Sequence, residues 1–298
     1  MAEEEDVSTG RSKPAASRPA AKAHSATTPV VAHYGPLSLT LRVRSPDATV
    51  AAAVEALYGE MRSADAGRPD VDVEILRSPG ETGRLEVLFD GQKTYESVGI
   101  GNFLHELDNY MTAALERKLP ELYFVHAAAL ALAGRVTMIV GESGAGKSTT
   151  AYALAAAGFE YLSDELSPIE PATGLVRPYP RALCLKKDPP HPLTLPSRHL
   201  RTEWTLQVPP SALGTRVART ALPLERIVFV RYSSSRQKPE LRVLSRGEAS
   251  LRLYQEALNQ LAHPCFGLDE TLSVVRRAEC FELLSAAIEP TVELRRAR

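Results

Sequence analysis

Val136-Thr-Met-Ile-Val140 leads without a break into Gly141-Glu-Ser-Gly-Ala-Gly-Lys-Ser148. The first stretch is apolar and β-branched, as a buried strand requires, and the second fits G-x-x-x-x-G-K-[ST] at every required position. Thr149 to Ala157 is then rich in helix formers and stops at Gly158, a residue suited to a left-handed C-cap. Strand, glycine-rich loop and helix thus follow in the order that builds a phosphate loop. Gly141, Gly144 and Gly146 let backbone N–H groups converge on phosphate oxygens at a helix N-terminus. The predicted cradle is Gly141, Glu142, Ser143, Gly144, Ala145, Gly146, Lys147, Ser148 and Thr149, with Lys147 as the cation and Ser148 as a hydroxyl ligand for magnesium. The expected ligand is a nucleoside triphosphate with Mg2+, ATP in the first place and GTP left open.

The segments on either side point back to this loop. A helix over Lys147 to Ala157 descends about 16 Å, and five extended residues, Phe159 to Ser163, climb about 16 Å back. Asp164 therefore returns to the level of the loop, at the carboxyl end of the strands where open α/β sheets bind ligands. A carboxylate there can hold magnesium through water or take the proton of an attacking hydroxyl. Upstream, Phe124 to Leu132 and Arg135 to Val140 read as two strands joined at Ala133-Gly134. A two-residue turn sets Leu132 against Arg135 and, counting outward, His126 against Gly141. His126 then either tunes or orients the carboxylate chemistry, or is a hydrogen-bonded core residue.

Further out, the 298 residues carry 35 basic against 36 acidic side chains, a balance that excludes wholesale electrostatic binding to nucleic acid or an anionic membrane. No apolar stretch approaches the roughly 20 residues of a membrane span. The opening Met-Ala-Glu-Glu-Glu-Asp is opposite in charge to a secretory signal, so a cytoplasmic location is expected. Cys184, Cys265 and Cys280 are far apart, with no C-x-x-C spacing to suggest zinc or a redox pair, and are expected to serve as small apolar packing residues.

Residues 1–33 lack large apolar side chains and are expected to be a disordered tail. Residues 34–120 read as a small α+β domain. It would hold an extended stretch over Leu37 to Val43, a helix capped by Asp47 and a strand at Val71 to Leu76. A hairpin about Asp90-Gly91 and a helix presenting Phe103, Leu104, Leu107, Tyr110, Met111, Ala114 and Leu115 on one face would complete it. Residues 121–298 carry the glycine-rich loop. They read as largely irregular between Glu170 and Pro223, then as strands at Ile227 to Tyr232 and Leu241 to Leu244 and a helix from Arg246 to Ala262, with Ser245 and Glu248 at capping-box spacing.

His126 fifteen positions before the loop, the loop itself, a helix ending in Ala-Ala-Gly and then Leu162-Ser-Asp-Glu165 together resemble the C-terminal domain of HPr kinase/phosphorylase. Leu122 to Lys186, including Arg177-Pro-Tyr-Pro-Arg181, is more similar still to HPr-kinase-related proteins of bacterial gene clusters, among them kinases of a serine in ribosomal peptide precursors. The resemblance implies an α/β fold shared with phosphoenolpyruvate carboxykinase. It also implies Asp164 as the base toward a hydroxyl, His126 as its partner, and Ser148, Asp164 and Glu165 about the metal. Glu165 stands where that family has a second Asp, and the downstream signature associated with phosphorylase activity is missing. Arg177, Arg181 and Lys186 are candidate contacts to phosphate or an acidic substrate, or else solvated loop charges.

The function expected is ATP-dependent transfer of a γ-phosphoryl group to a hydroxyl, with a serine of a peptide or protein as acceptor and a homo-oligomer left open. Two alternatives stand beside it: a small-molecule kinase, and a nucleotide-sensing module without transfer. A transport ATPase of the ABC type fits poorly, since no Ser-Gly-Gly signature follows the loop.

Overall fold

In the computed structural model, which describes residues 30–64, 67–77, 83–232 and 239–285, the first strands obey a simple alternation of apolar and polar side chains. β1 (Val30–Tyr34), β2 (Leu41–Ser45), β3 (Val71–Arg77), β4 (Arg84–Phe89) and β5 (Gln92–Val98) form one sheet in that order. Leu41 and Val43, Val73 and Ile75, and Leu85, Val87 and Phe89 all point to one buried face. Two helices cover it. α1 (Ala48–Tyr58) starts where Asp47 accepts the N–H groups of Thr49 and Val50, and buries Val50, Ala53, Val54 and Leu57 at helical spacing. α2 (Ile100–Lys118) buries the face expected from its sequence, with Tyr110 only partly covered and stacked on Phe89. Between β4 and β5, Asp90 and Gly91 have φ of 50° and 78°, the two left-handed residues that a tight hairpin turn demands.

The second part is a larger mixed sheet. It is built from β6 (Tyr123–Val125), β7 (Ala127–Leu132), β8 (Arg135–Val140), then α3 (Lys147–Ala156), β9 (Glu160–Ser163), β10 (Ser167–Glu170) and β11 (Leu175–Val176). β12 (Leu183–Leu185), β13 (Leu200–Arg201) and β14 (Leu206–Val208) make a separate small sheet. The chain returns to the large one with β15 (Leu222–Tyr232), β16 (Glu240–Val243), α4 (Arg246–Gln255), α5 (Leu268–Arg277) and β17 (Glu279–Ser285). Its order is β6-β10-β11-β15-β8-β7-β9, with β17 between β15 and β16. β8 lies parallel to β15 and antiparallel to β7, in the register expected: Leu132 faces Arg135 and Ala127 faces Val140.

Several expectations are corrected. The expected tail reaches only into residues outside the description up to 29, because Val30 to His33 already pair with β2. The extended stretch begins at Leu41, Leu37 and Ser38 taking positive φ in a tight turn instead. Phe124 to Leu132 is not one strand: the His126 N–H leaves the ladder to reach the carbonyl of Glu256, and β6 and β7 take different partners on either side. The helix from Arg246 ends at Gln255, because Ala257 bridges to Val125 in extended pairing. The proline-rich stretch is not devoid of order, since it contains the small sheet of β12, β13 and β14. α5 and β17 have no counterpart among the expected elements.

The two parts share a core. Leu122, Phe124, Leu166, Tyr179 and Ala182 pack into the same apolar cluster as α1 and α2, and the Ala182 N–H donates to the carbonyl of Leu57.

Candidate functional site

The site begins where β8 stops. A side chain at Gly141 would bring a Cβ within 2.7 Å of the Val230 carbonyl oxygen on β15, so only glycine lets the chain leave the sheet at this point. Gly146 caps α3 with φ of 101° and no side-chain cap bond, which leaves the first N–H groups of the helix directed toward the loop. Lys147 is 8% exposed and folds back, donating to the carbonyls of Gly141 at 2.5 Å and Glu142 at 3.4 Å. Burial lowers its affinity for its proton, against the pull of Glu165, Glu256 and Asp164. Those three carboxylates and the lysine thus face one another across the mouth of the loop.

Asp164 follows β9 and is 1% exposed. Its Oδ2 accepts the backbone N–H of Cys184, on β12, at 2.8 Å, and its buried Oδ1 has no hydrogen-bond partner. Burial first, and then the neighbouring Glu165 charge, push this carboxyl up to about 7; Cys184, Arg181 and the nearby Ser148 hydroxyl counteract the shift only in part. Glu165 moves the other way. Burial opposes its charge, yet the hydrogen bond from His126 and the charges of Arg181, His126 and Lys147 outweigh that cost and hold it below the usual carboxylate range. The two adjacent carboxyls thus share one field, in which a negative Glu165 disfavours a second charge on Asp164.

His126 sits at the break between β6 and β7, with Nε2 3.0 Å from Glu165 Oε2 and Nδ1 3.3 Å from Glu256 Oε2. Glu256 has no precedent in the motif. It arrives because the chain just beyond α4 pairs with β6, Leu258 donating to Phe124 as His126 donates to Glu256. Lys186 also reaches the loop, its Nζ donating to Ser143 Oγ at 2.7 Å.

The two arginines do not. Arg177 is held by Glu170 at 2.8 Å. Arg181, 4% exposed, pairs with Asp108 at 3.1 Å and reaches the loop region only through the field it exerts on Asp164 and Glu165. Cys184 offers no nucleophile, since burial pushes its thiol up to about 11.

Ser148, Asp164 Oδ1 and Glu165 present a hydroxyl and carboxylate oxygens, the hard donors that magnesium takes beside its waters and substrate phosphates. Among the described residues no group of three or more His, Cys, Asp or Glu side chains forms an all-protein metal site. Three such donors would leave room for waters in the octahedron that magnesium demands.

No family model matches the chain, and no curated protein matches it. Among solved structures, it is similar to that of the Hpr(Ser) kinase/phosphatase from Coxiella burnetii, at 13% identity and a TM-score of 0.29, over 58% of this chain and 95% of that one. This is a distant structural relationship. Among the described residues no helix is long and apolar enough to cross a membrane.

Proposed function

We propose that the protein is an ATP-dependent kinase that transfers a γ-phosphoryl group to the hydroxyl of a serine in a peptide or protein. The observation that carries this reading is the buried Asp164 Oδ1, unpartnered and beside Ser148 and Lys147 at the foot of the glycine-rich loop. A buried carboxylate oxygen without a partner is costly unless a ligand completes it. With its affinity raised to about 7, Asp164 can accept a hydroxyl proton near neutral pH and be reset afterwards.

In this reading the loop N–H groups and Lys147 hold the phosphates, and Ser148 and Glu165 take the metal. Magnesium, when bound, supplies neutralisation of charge between the phosphoryl groups. Asp164 receives the acceptor's proton while His126, clamped between two carboxylates, fixes Glu165. The Cys184 N–H keeps Asp164 in one orientation, so its free oxygen is already aimed before the acceptor arrives.

The test is a transfer assay with labelled ATP over pools of serine peptides and of metabolites. A labelled peptide is the expected product, and Asp164→Asn should lose about 10² to 10⁴ in transfer with ATP affinity changed only a few-fold. Label on a metabolite would place the chain among small-molecule kinases. Tight ATP binding with no product in either pool would leave only a nucleotide-sensing role.

A further inference from the structure

We infer that the arginine-rich cavity at the start of β8 is a second anion site, built for a compact ligand carrying several phosphoryl groups. The cavity measures about 920 Å³ and lies where β8, β15 and β17 begin, between the Leu132-Ala133 turn and the ends of α4 and α5. The six residues of β8 separate it from the glycine-rich loop by about 20 Å, so it is not an extension of the site described above.

Its charge is unbalanced. Arg135, Arg226, Arg246, Arg276 and Arg277 line it against only Glu225 and Glu279, an excess of three positive charges in a chain whose overall balance is near neutral. The ion pairs present are loose: Arg226 Nε stands 3.6 Å from Glu279 and 4.0 Å from Glu225, and Arg135 Nε stands 3.9 Å from Glu225. Charge-assisted hydrogen bonds close to about 2.7 to 2.9 Å. Arg226 Nε is moreover buried with no hydrogen-bond partner. Among the described residues Arg246 and Arg276 have no carboxylate within ion-pair distance, and Arg246 opens α4, where the helix N-terminus adds positive potential.

The shape and the donors select the ligand. A concave volume at the upper end of small-molecule sites suits a compact anion better than an extended acidic chain. Guanidinium forks match phosphoryl oxygens two at a time, and an excess of three charges calls for dianionic groups rather than single carboxylates. Leu132 and Phe281 supply an apolar wall against which such a ligand's carbon skeleton can rest.

Inorganic tripolyphosphate, titrated calorimetrically into the full chain, tests the inference. Two sites per chain are expected, one of them lost in Lys147→Ala. Arg246→Gln with Arg276→Gln should remove the other, weakening it at least a hundredfold, about tenfold for each arginine. Both arginines are exposed, so circular dichroism and Tm should not change. Loss of every site in Lys147→Ala, or an unchanged second site in the double arginine variant, would overturn the assignment. So would binding of a hexaglutamate peptide to a cavity that refuses tripolyphosphate.

Discussion

Arg181 Nη1 lies 3.1 Å from Asp108 Oδ2, which ties the segment before β12 to the middle of α2. Tyr58 Oη donates to the other oxygen of Asp108 at 3.1 Å, so two helices of the first part and the approach to the candidate site meet at one carboxylate. Burial raises the Asp108 carboxyl, and the Arg181 charge counteracts that shift. An arginine that reads in sequence as a phosphate contact is here a buried strut, and it acts on Asp164 and Glu165 through its field alone.

Arg181→Met should therefore fail in stability before it fails in nucleotide binding. Removing one partner of a buried pair costs about 3 kcal/mol at the low end, which in a chain of this size lowers Tm by roughly 6 °C or more. ATP affinity should change only a few-fold. Calorimetric melting and ATP titration on the same variant check this, and a large affinity loss at unchanged Tm would return Arg181 to the phosphate.

Lys147→Ala gives the opposite pattern. Its Nζ bonds only to loop carbonyls, so its loss leaves no buried carboxylate without a cation in contact. Charge-assisted contacts to phosphate are worth about 1.5 to 3 kcal/mol each, and ATP affinity should drop at least tenfold. An unchanged dissociation constant in the folded variant would remove the phosphate-binding role of the loop.

What could be read in advance was local. The Asp90-Gly91 and Ala133-Gly134 turns are legible because two adjacent residues must take positive φ, and the register of β7 on β8 follows from the turn alone. Asp164 could be placed because a helix and a strand of known rise bring it back to where they started. Glu256 could not: its approach to His126 depends on pairing between residues more than a hundred positions apart. β17 was hidden for a different reason. It buries Glu282 at 2% exposure, held by Arg242 at 2.5 Å and Arg252 at 2.9 Å, and a buried acid erases the apolar alternation that marks a strand.

His126 is a positioning residue in the proposed mechanism, since it touches Glu165 and Glu256 rather than the loop. His126→Asn should lower transfer by about 10- to 100-fold, less than Asp164→Asn, and raise the magnesium concentration needed for half-maximal rate. Glu256→Gln, which changes the partner on the far side of the ring, should show the same displacement in magnesium dependence to a smaller extent. A kinetic series over magnesium concentration separates this from a direct role in proton transfer, in which the rate would fall with no change in metal dependence.

The pH dependence of stability gives a test of Asp164 that needs no substrate. Its carboxyl titrates at about 7 in the folded chain against 3.8 as its unperturbed value. Between those values the folded state holds a proton that the unfolded state has lost, so stability falls as pH rises. The contribution is complete below about pH 4 and gone once pH passes about 7, where folding must bury a charge. Asp164→Asn keeps the shape and an oxygen for the Cys184 N–H but has nothing to titrate. Its Tm relative to the unaltered chain should therefore rise between pH 5 and pH 8, with the largest advantage at the alkaline end. In the proposed reaction, transfer by the unaltered chain should climb over the same interval as the carboxylate forms, while the Asn variant stays slow throughout. Melting curves at pH 5, 6, 7 and 8 read the first effect, and a difference in Tm that stays constant across that range would mean that Asp164 is ionised well below neutrality and is not poised as the base.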